Sequence, residues 1–116
     1  MAGIGGVFFR ARDHEGPRAW DAAHPGLEDG PGRAPWRQET GHTVFAPVPR
    51  GTDCFPATSA VMPNFRVDDL DALCARLEAA GIAVETRPGE RDGAHGRFAG
   101  IHDPEGNPVE LRQSPG

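Results

Sequence analysis

The 116-residue sequence contains no apolar run long enough to cross a membrane and no basic N-terminal segment followed by an apolar one. We therefore expect a soluble, cytoplasmic protein with no membrane partner. It also has no excess of positive charge, since 17 acidic residues outnumber 12 basic ones and the net charge is -5. This charge repels nucleic acids and anionic membranes at long range, so we expect neither as a partner. A neutral or cationic ligand is compatible with it.

Cysteine is scarce, because the chain has only Cys54 and Cys74, which do not form a CxxC motif. We expect reduced thiols, with Cys74 in the core of a predicted helix. By contrast, the 16 glycines and 12 prolines are typical of short strands joined by tight turns. The length suits one domain with a single core.

The clearest local pattern is the sequence DPEG at residues 103–106. Asp at the first position, Pro at the second and Gly at the fourth favour a type I turn. Residues 97–102 and 108–111 are then predicted to be antiparallel strands. Alternation places Val109 and Leu111 on one face and Glu110 on the other.

A strand is predicted over residues 62–67 and a helix after it, with Asp68 as the N-cap and Gly81 beyond the C-terminus. Residues 82–85 form the next predicted strand. The apolar stripe of the helix consists of Leu70, Leu73, Cys74, Leu77 and Ala80.

The N-terminal half is predicted to contain a strand over residues 7–12, with Phe8 and Arg10 on the face opposite Val7 and Phe9. A helix is predicted over residues 14–24. Residues 36–39 and 43–47 are predicted to form a short hairpin.

The two halves have the same predicted order of strand, helix and three strands, and FRARD at residues 9–13 is similar to FRVDD at residues 65–69. Residues 48–60, which have no periodicity, are the natural linker. We predict a single domain over residues 1–116, with one module at about 1–50 and a second at about 61–113. The two half-sheets, each covered by a helix on one face, would leave their other faces around a shared cleft.

This paired order, with FRVDDLDALCARLEAAGIAV followed by GRFAGIHDPEGNPVEL, resembles the vicinal oxygen chelate superfamily. That superfamily includes glyoxalase I, extradiol dioxygenases, fosfomycin-modifying enzymes and bleomycin-binding resistance proteins. The resemblance implies an α+β fold in which two βαβββ modules form a curved mixed sheet around a central cleft. It also implies a homodimer, in which the two chains could exchange modules.

Metal-dependent members hold a divalent ion with ligands from the first and fourth strands of each module. The resemblance maps these positions onto Gly6, Phe45 (or Ala46), Met62 and Glu110. Only Glu110 offers a hard ligand, so we expect the usual metal site to be lost and no cofactor to be present. A relocated divalent metal would have to use other residues. The histidines of the chain are His14, His24, His42, His95 and His102.

Polar and aromatic side chains on the faces opposite the helices are typical of a small-molecule site. We predict that a cleft binds the ligand through Phe8, Arg10, Trp36, Phe45, Met62, Asn64, Arg66 and Glu110. Glu110 is also the candidate catalytic base, although a solvated carboxylate or one paired with an arginine is equally compatible with its position.

The leading hypothesis is a metal-free binding protein for a small molecule. One alternative is a metal-dependent lyase, isomerase or dioxygenase with displaced ligands. The other is a module retained for protein association.

Overall fold

The computed structural model describes residues 1–12, 37–86 and 96–115. Its elements are β1 (Asn64–Arg66), α1 (Leu70–Ala79), β2 (Arg97–His102) and β3 (Pro108–Gln113). The sheet has the order β1-β3-β2, with β1 parallel and β2 antiparallel to β3. On the outer side of β2, Glu85 forms an isolated antiparallel bridge with Gly100. This mixed sheet with one helix follows the order predicted for residues 61–113 except at residues 82–85, where the predicted strand is reduced to this single bridge. The strand predicted over residues 62–67 is also shorter, since β1 spans only Asn64–Arg66.

The helix begins one residue later than predicted, because its N-cap is Asp69 and not Asp68. The Asp69 carboxylate accepts a hydrogen bond from the Ala72 amide at 3.0 Å. The physical reason lies in the preceding strand, where the Val67 amide still donates to the Arg112 carbonyl at 2.8 Å. The chain therefore leaves the sheet only after residue 67.

The C-terminus of α1 is closed by Gly81, as predicted, with a φ of 83°. The Gly81 amide donates to the Glu78 carbonyl and the Ile82 amide to the Leu77 carbonyl, each at 3.0 Å. This is the Schellman pattern, which requires a left-handed residue at the glycine position.

No helix in the part of the chain that the structure describes is long and apolar enough to cross a membrane.

The core lies between α1 and one face of the sheet. The helix contributes the predicted stripe except Ala80, which is exposed. Its N-terminus is held to the sheet by Gln113, whose side-chain oxygen accepts from the Leu70 amide at 2.8 Å, and by Arg97, which pairs with Asp71 at 2.6 Å. The buried apolar residues are Leu70, Leu73, Cys74, Leu77, Ala99, Ile101, Val109 and Leu111.

The predicted turn between β2 and β3 is confirmed, since the Gly106 amide donates to the Asp103 carbonyl at 2.9 Å. The Asp103 side chain is only 7% exposed. It accepts from the amides of Glu105 and Asn107 at 2.9 Å and from the Asn107 side chain at 2.7 Å. The hairpin is longer than predicted, because β3 continues past Leu111 to Gln113.

The strands predicted in the N-terminal half are not formed, since no strand is assigned within residues 1–12 or 37–47. These stretches are almost entirely exposed. A strand needs a neighbour to satisfy its backbone amides and carbonyls, and none pairs with them within the described residues. The helix predicted at residues 14–24 and Trp36 lie outside the described residues. The second half-sheet of the two-module arrangement is therefore not confirmed.

The N-terminal segment instead contacts the hairpin through the backbone amide and the side chain of Arg12, whose guanidinium Nε lies 3.5 Å from a Glu105 carboxylate oxygen. Arg12 donates its amide to the Glu105 carboxylate at 2.7 Å. A cavity of about 60 Å³ separates Val7 and Phe9 from Phe65 and Val109. Val7 and Phe9 thus both line the cavity at the end of the core, while Phe9 also lines a second, more open pocket with Phe8 and Arg10.

Candidate functional site

The face of the sheet turned away from α1, which we call the open face, carries polar side chains and one aromatic ring. Along β2 and β3 every second residue is buried under the helix, so the residues between them lie on the open face. Residues paired across strands share a face, which extends the assignment to β1 and to Glu85. The open face consists of Asn64, Arg66, Glu85, Phe98, Gly100, His102, Pro108, Glu110 and Arg112.

Its central row runs across the three strands and the bridge residue beside β2, from Asn64 through Glu110 and Gly100 to Glu85. The Asn64 side-chain amide donates to one carboxylate oxygen of Glu110 at 2.6 Å. Within residues 1–12, 37–86 and 96–115, no hydrogen bond to the other Glu110 oxygen is formed. This second oxygen can therefore accept from a ligand.

The two arginines of the open face are engaged away from Glu110. Arg66 donates to the backbone carbonyls of Glu39 at 2.7 Å and Thr40 at 3.4 Å. The Arg112 guanidinium lies 5.7 Å from the centre of the Phe98 ring, within the range of a cation–π contact. The sequence left open whether Arg66 pairs with Glu110. In the structure Arg66 binds the backbone carbonyls of Glu39 and Thr40 instead.

His102 lies on the same face as Glu110, a relation that the sequence alone did not settle. The register pairs His102 with Pro108 and Gly100 with Glu110, so the two side chains share a face across the hairpin. His102 Nδ1 is 3.8 Å from the Glu85 carboxylate. The signal that fixes this parity is the five-residue connection closed by the bond from the Asp103 amide to the Asn107 carbonyl.

The described residues do not fit the divalent ion of the metal-dependent proteins. No three His, Cys, Asp or Glu side chains come together as a metal site in the ranges that the structure covers. At the matched positions, Gly6 has no ligand atom in its side chain and Phe45 is 88% exposed. Met62, half-buried two residues before β1, offers a thioether, which suits soft metals rather than hard ones. His14, His24 and His95 lie outside the described residues.

The structure brings together some of the predicted ligand-binding residues and not others. Asn64, Arg66 and Glu110 share the open face. Phe8 is 98% exposed, and Arg10 is exposed as well, so neither packs against the open face within the described chain. Trp36 lies outside the described residues. The residues that the sequence did not single out are Glu85, Phe98, Gly100 and Arg112, whose common face follows from the strand alternation once the register is known.

Residues 64–111 match the model of the Glyoxalase/Bleomycin resistance protein/Dioxygenase superfamily. The matched segment begins at the first residue of β1 and ends within β3, so it contains α1, the sheet and Glu110. No curated protein matches the sequence significantly.

Three solved structures are similar to the chain. One is TnmS3, an antibiotic binding protein from Streptomyces sp. CB03234, with 28% identity, a TM-score of 0.59 and a match over 99% of each chain. Another is a glyoxalase/bleomycin resistance protein from the same organism, with 38% identity over 47% of this chain and 46% of that one and a TM-score of 0.40. The third is the fosfomycin resistance protein FosX from Listeria monocytogenes, with 22% identity over 49% and 48% of the chains and a TM-score of 0.41.

The matched segment contains the capped helix and all of the sheet except the last two residues of β3. Over residues 64–111 the chain is therefore similar to the Glyoxalase/Bleomycin resistance protein/Dioxygenase superfamily.

Proposed function

We propose that this chain is a small-molecule binding protein that takes up an antibiotic or a metabolite on its open face without a metal ion. The observation that carries the proposal is the similarity to TnmS3, an antibiotic binding protein, over 99% of both chains. At 28% identity the ligand itself does not carry over, so it has to be inferred from the side chains of this chain.

The chemistry of the open face supports a ligand with hydrogen-bond donors or positive charge. Glu110 is half-buried and fixed by Asn64, so its carboxylate is preorganised before a ligand arrives. The Phe98 ring and its Arg112 partner add a flat surface to the same face. A few fixed polar groups beside an aromatic surface are typical of small-molecule sites.

Thermal-shift screening of antibiotics, beginning with bleomycin, is the first test. We expect at least one compound to raise the melting temperature saturably, because a ligand that binds only the folded state stabilises it in proportion to the logarithm of its concentration over Kd. For a cationic hit, Glu110→Gln should weaken binding about tenfold by calorimetry, a loss typical of a charge-assisted hydrogen bond. Glu78→Gln, on the exposed side of α1, is the matched control and should leave Kd unchanged.

Two outcomes would contradict the proposed binding function or the role of Glu110 in it. A screen without a single saturable shift would overturn the proposed function, and equal Kd values for the Glu110→Gln and Glu78→Gln variants would remove Glu110 from the site.

The alternative function is a metal-dependent lyase, isomerase or dioxygenase, and one observation favours it. His102 and Glu110 share the open face, so a ligand nitrogen and a ligand oxygen point to the same side of the sheet. Binding measured in excess EDTA separates the two functions. An unchanged Kd supports the metal-free protein, whereas loss of binding that added zinc or manganese restores would favour the enzyme.

We also propose a homodimer. The supporting observation is the exposure of large apolar side chains in the single chain, where Phe8, Val44 and Phe45 are 98%, 80% and 88% exposed. Surfaces of this kind on a soluble chain mark interaction sites. Light scattering after size exclusion at micromolar concentration should give twice the mass of 12.3 kDa. A monomeric mass would overturn the dimer. The cytoplasmic location stays a prediction from the N-terminal sequence.

A further inference from the structure

Gly100 occupies the middle of β2, where a glycine weakens a strand. The ladder around it is regular, since β2 pairs with β3 without interruption from Arg97 to His102. On the other side, the Gly100 amide and carbonyl both bond to Glu85, each at 2.8 Å. There is no bulge or bend at this position that a glycine would have to accommodate.

The backbone does not need a glycine here either. Gly81, Gly96 and Gly106 have φ values of 83°, 121° and 83°, which other residues rarely adopt, but Gly100 is not in this region. A Cβ built on Gly100 would come within 3.9 Å of the Glu85 carbonyl oxygen and 4.0 Å of the Glu85 Cβ. These are ordinary van der Waals contacts, so the described chain has room for a side chain at position 100.

The missing side chain leaves a slot in the open face. Glu85 and Glu110 flank it across the strands, and Phe98 and His102 flank it along β2. Because Gly100 uses its backbone bonds on Glu85, it forms a non-hydrogen-bonded pair with Glu110. The Cα atoms of the two glutamates are then about 10 Å apart. The slot thus has a glutamate residue on either side across the strands and an aromatic residue on either side along β2.

We propose that Gly100 is the specificity-determining position of the open face, where its bare backbone admits a flat cationic group of the ligand between Glu85 and Glu110. This inference rests on the proposed function and names the class of ligand. Charge complementarity supports it, since two glutamates neighbour the slot and the chain carries a net charge of -5. Of the two arginines on this face, Arg66 is held by the carbonyls of residues 39 and 40, and Arg112 lies against the Phe98 ring. A glycine between strands that do not require it is often a place where a ligand comes close.

The test is Gly100→Ala with Gly51→Ala as the matched control. Gly51 is exposed, has no positive φ and has nothing within 4 Å of a built Cβ, so both changes remove the same backbone freedom from the unfolded chain. The probes are proflavine, a flat aromatic cation whose fluorescence reports binding, and acridone, which is flat and uncharged.

We expect Gly100→Ala to raise the melting temperature by about 2 to 6 °C. The same variant should weaken proflavine binding about tenfold or more, because the added methyl group occupies the slot. Gly51→Ala should leave proflavine binding unchanged. Glu110→Gln should weaken proflavine binding while acridone, which lacks the charge, binds more weakly to every variant.

Each other result overturns the inference. If Gly100→Ala lowers the melting temperature or fails to fold, the fold itself requires the glycine. If it binds proflavine as the wild type does, the slot is not the site, and if acridone binds as tightly as proflavine, the cationic class is wrong. A wild type that binds bleomycin or another antibiotic but not proflavine overturns this inference and leaves the proposed function intact, whereas a wild type that binds neither overturns both.

Discussion

Asp103→Ala is expected to lower the free energy of unfolding by about 2 to 4 kcal/mol. The Asp103 carboxylate is buried and accepts three hydrogen bonds inside the β2–β3 turn, from two amides and the Asn107 side chain. Hydrogen bonds to a charged group are stronger than neutral ones, and the alanine would leave their donors without a partner. Urea unfolding followed by circular dichroism measures the change.

Two controls accompany this variant. Asp103→Asn keeps an oxygen for the backbone amides and should cost less than the alanine, since it disrupts chiefly the bond with the Asn107 side chain. Asp68→Ala changes an exposed carboxylate that caps nothing and should stay within about 0.5 kcal/mol of the wild type. If Asp103→Ala costs no more than Asp68→Ala, the turn does not depend on the carboxylate.

Leu111→Ala is expected to cost about 3 kcal/mol, in the usual range for a buried leucine. Leu111 is fully buried in the central strand and lies opposite both Phe65 on β1 and Ala99 on β2. Its removal would open a cavity under α1 that neither neighbour can close without leaving the ladder. The same urea measurement applies.

Phe45→Ala is the counterpart, because Phe45 is 88% exposed in the single chain. It should cost less than about 0.5 kcal/mol if that exposure persists in solution. A cost close to that of Leu111→Ala would show that Phe45 is buried against a second copy, and measurement at two protein concentrations would confirm it. A small effect of Leu111→Ala would contradict the core as described.

The parts of this chain that could be predicted from the sequence are those whose chemistry is local. The residue types of DPEG are enough to predict the turn, and the spacing of Leu70, Leu73 and Leu77 is enough to predict the buried face of the helix. The predicted N-cap is wrong by one residue because Asp68 and Asp69 are adjacent and either could cap the helix. The hydrogen bond from the Val67 amide to the Arg112 carbonyl, between residues distant in sequence, determines that Asp69 is the N-cap.

The strands predicted in the N-terminal half are wrong because strand formation depends on residues distant in sequence. Alternation at residues 7–12 and 43–47 shows which side chains could share a face, but a strand forms only where another backbone accepts its hydrogen bonds. No such partner lies within the described residues. Val7 and Phe9 border the cavity at the end of the core without belonging to a strand.

Part of the placement of the candidate site residues could be predicted from the sequence. Strand parity placed Asn64, Arg66 and Glu110 on one face, and the pairing of Asn64 with Glu110 confirms that face. The sequence does not indicate a role for Gly100, because a glycine within a predicted strand can be interpreted only when the strand register and the space around it are known. His102 needed the register for the same reason.

The parallel pairing of β1 with β3 has a consequence for the order in which the molecule folds. β2 and β3 meet through a short turn, whereas Asn64 and Glu110 are 46 residues apart in sequence. Closing the longer loop costs more chain entropy before any contact offsets it, so the hairpin should form early and β1 should dock late. The same order in reverse makes β1, only three residues long, the first strand to detach. The carboxylate of Glu110 would then lose its Asn64 partner while most of the molecule is still folded.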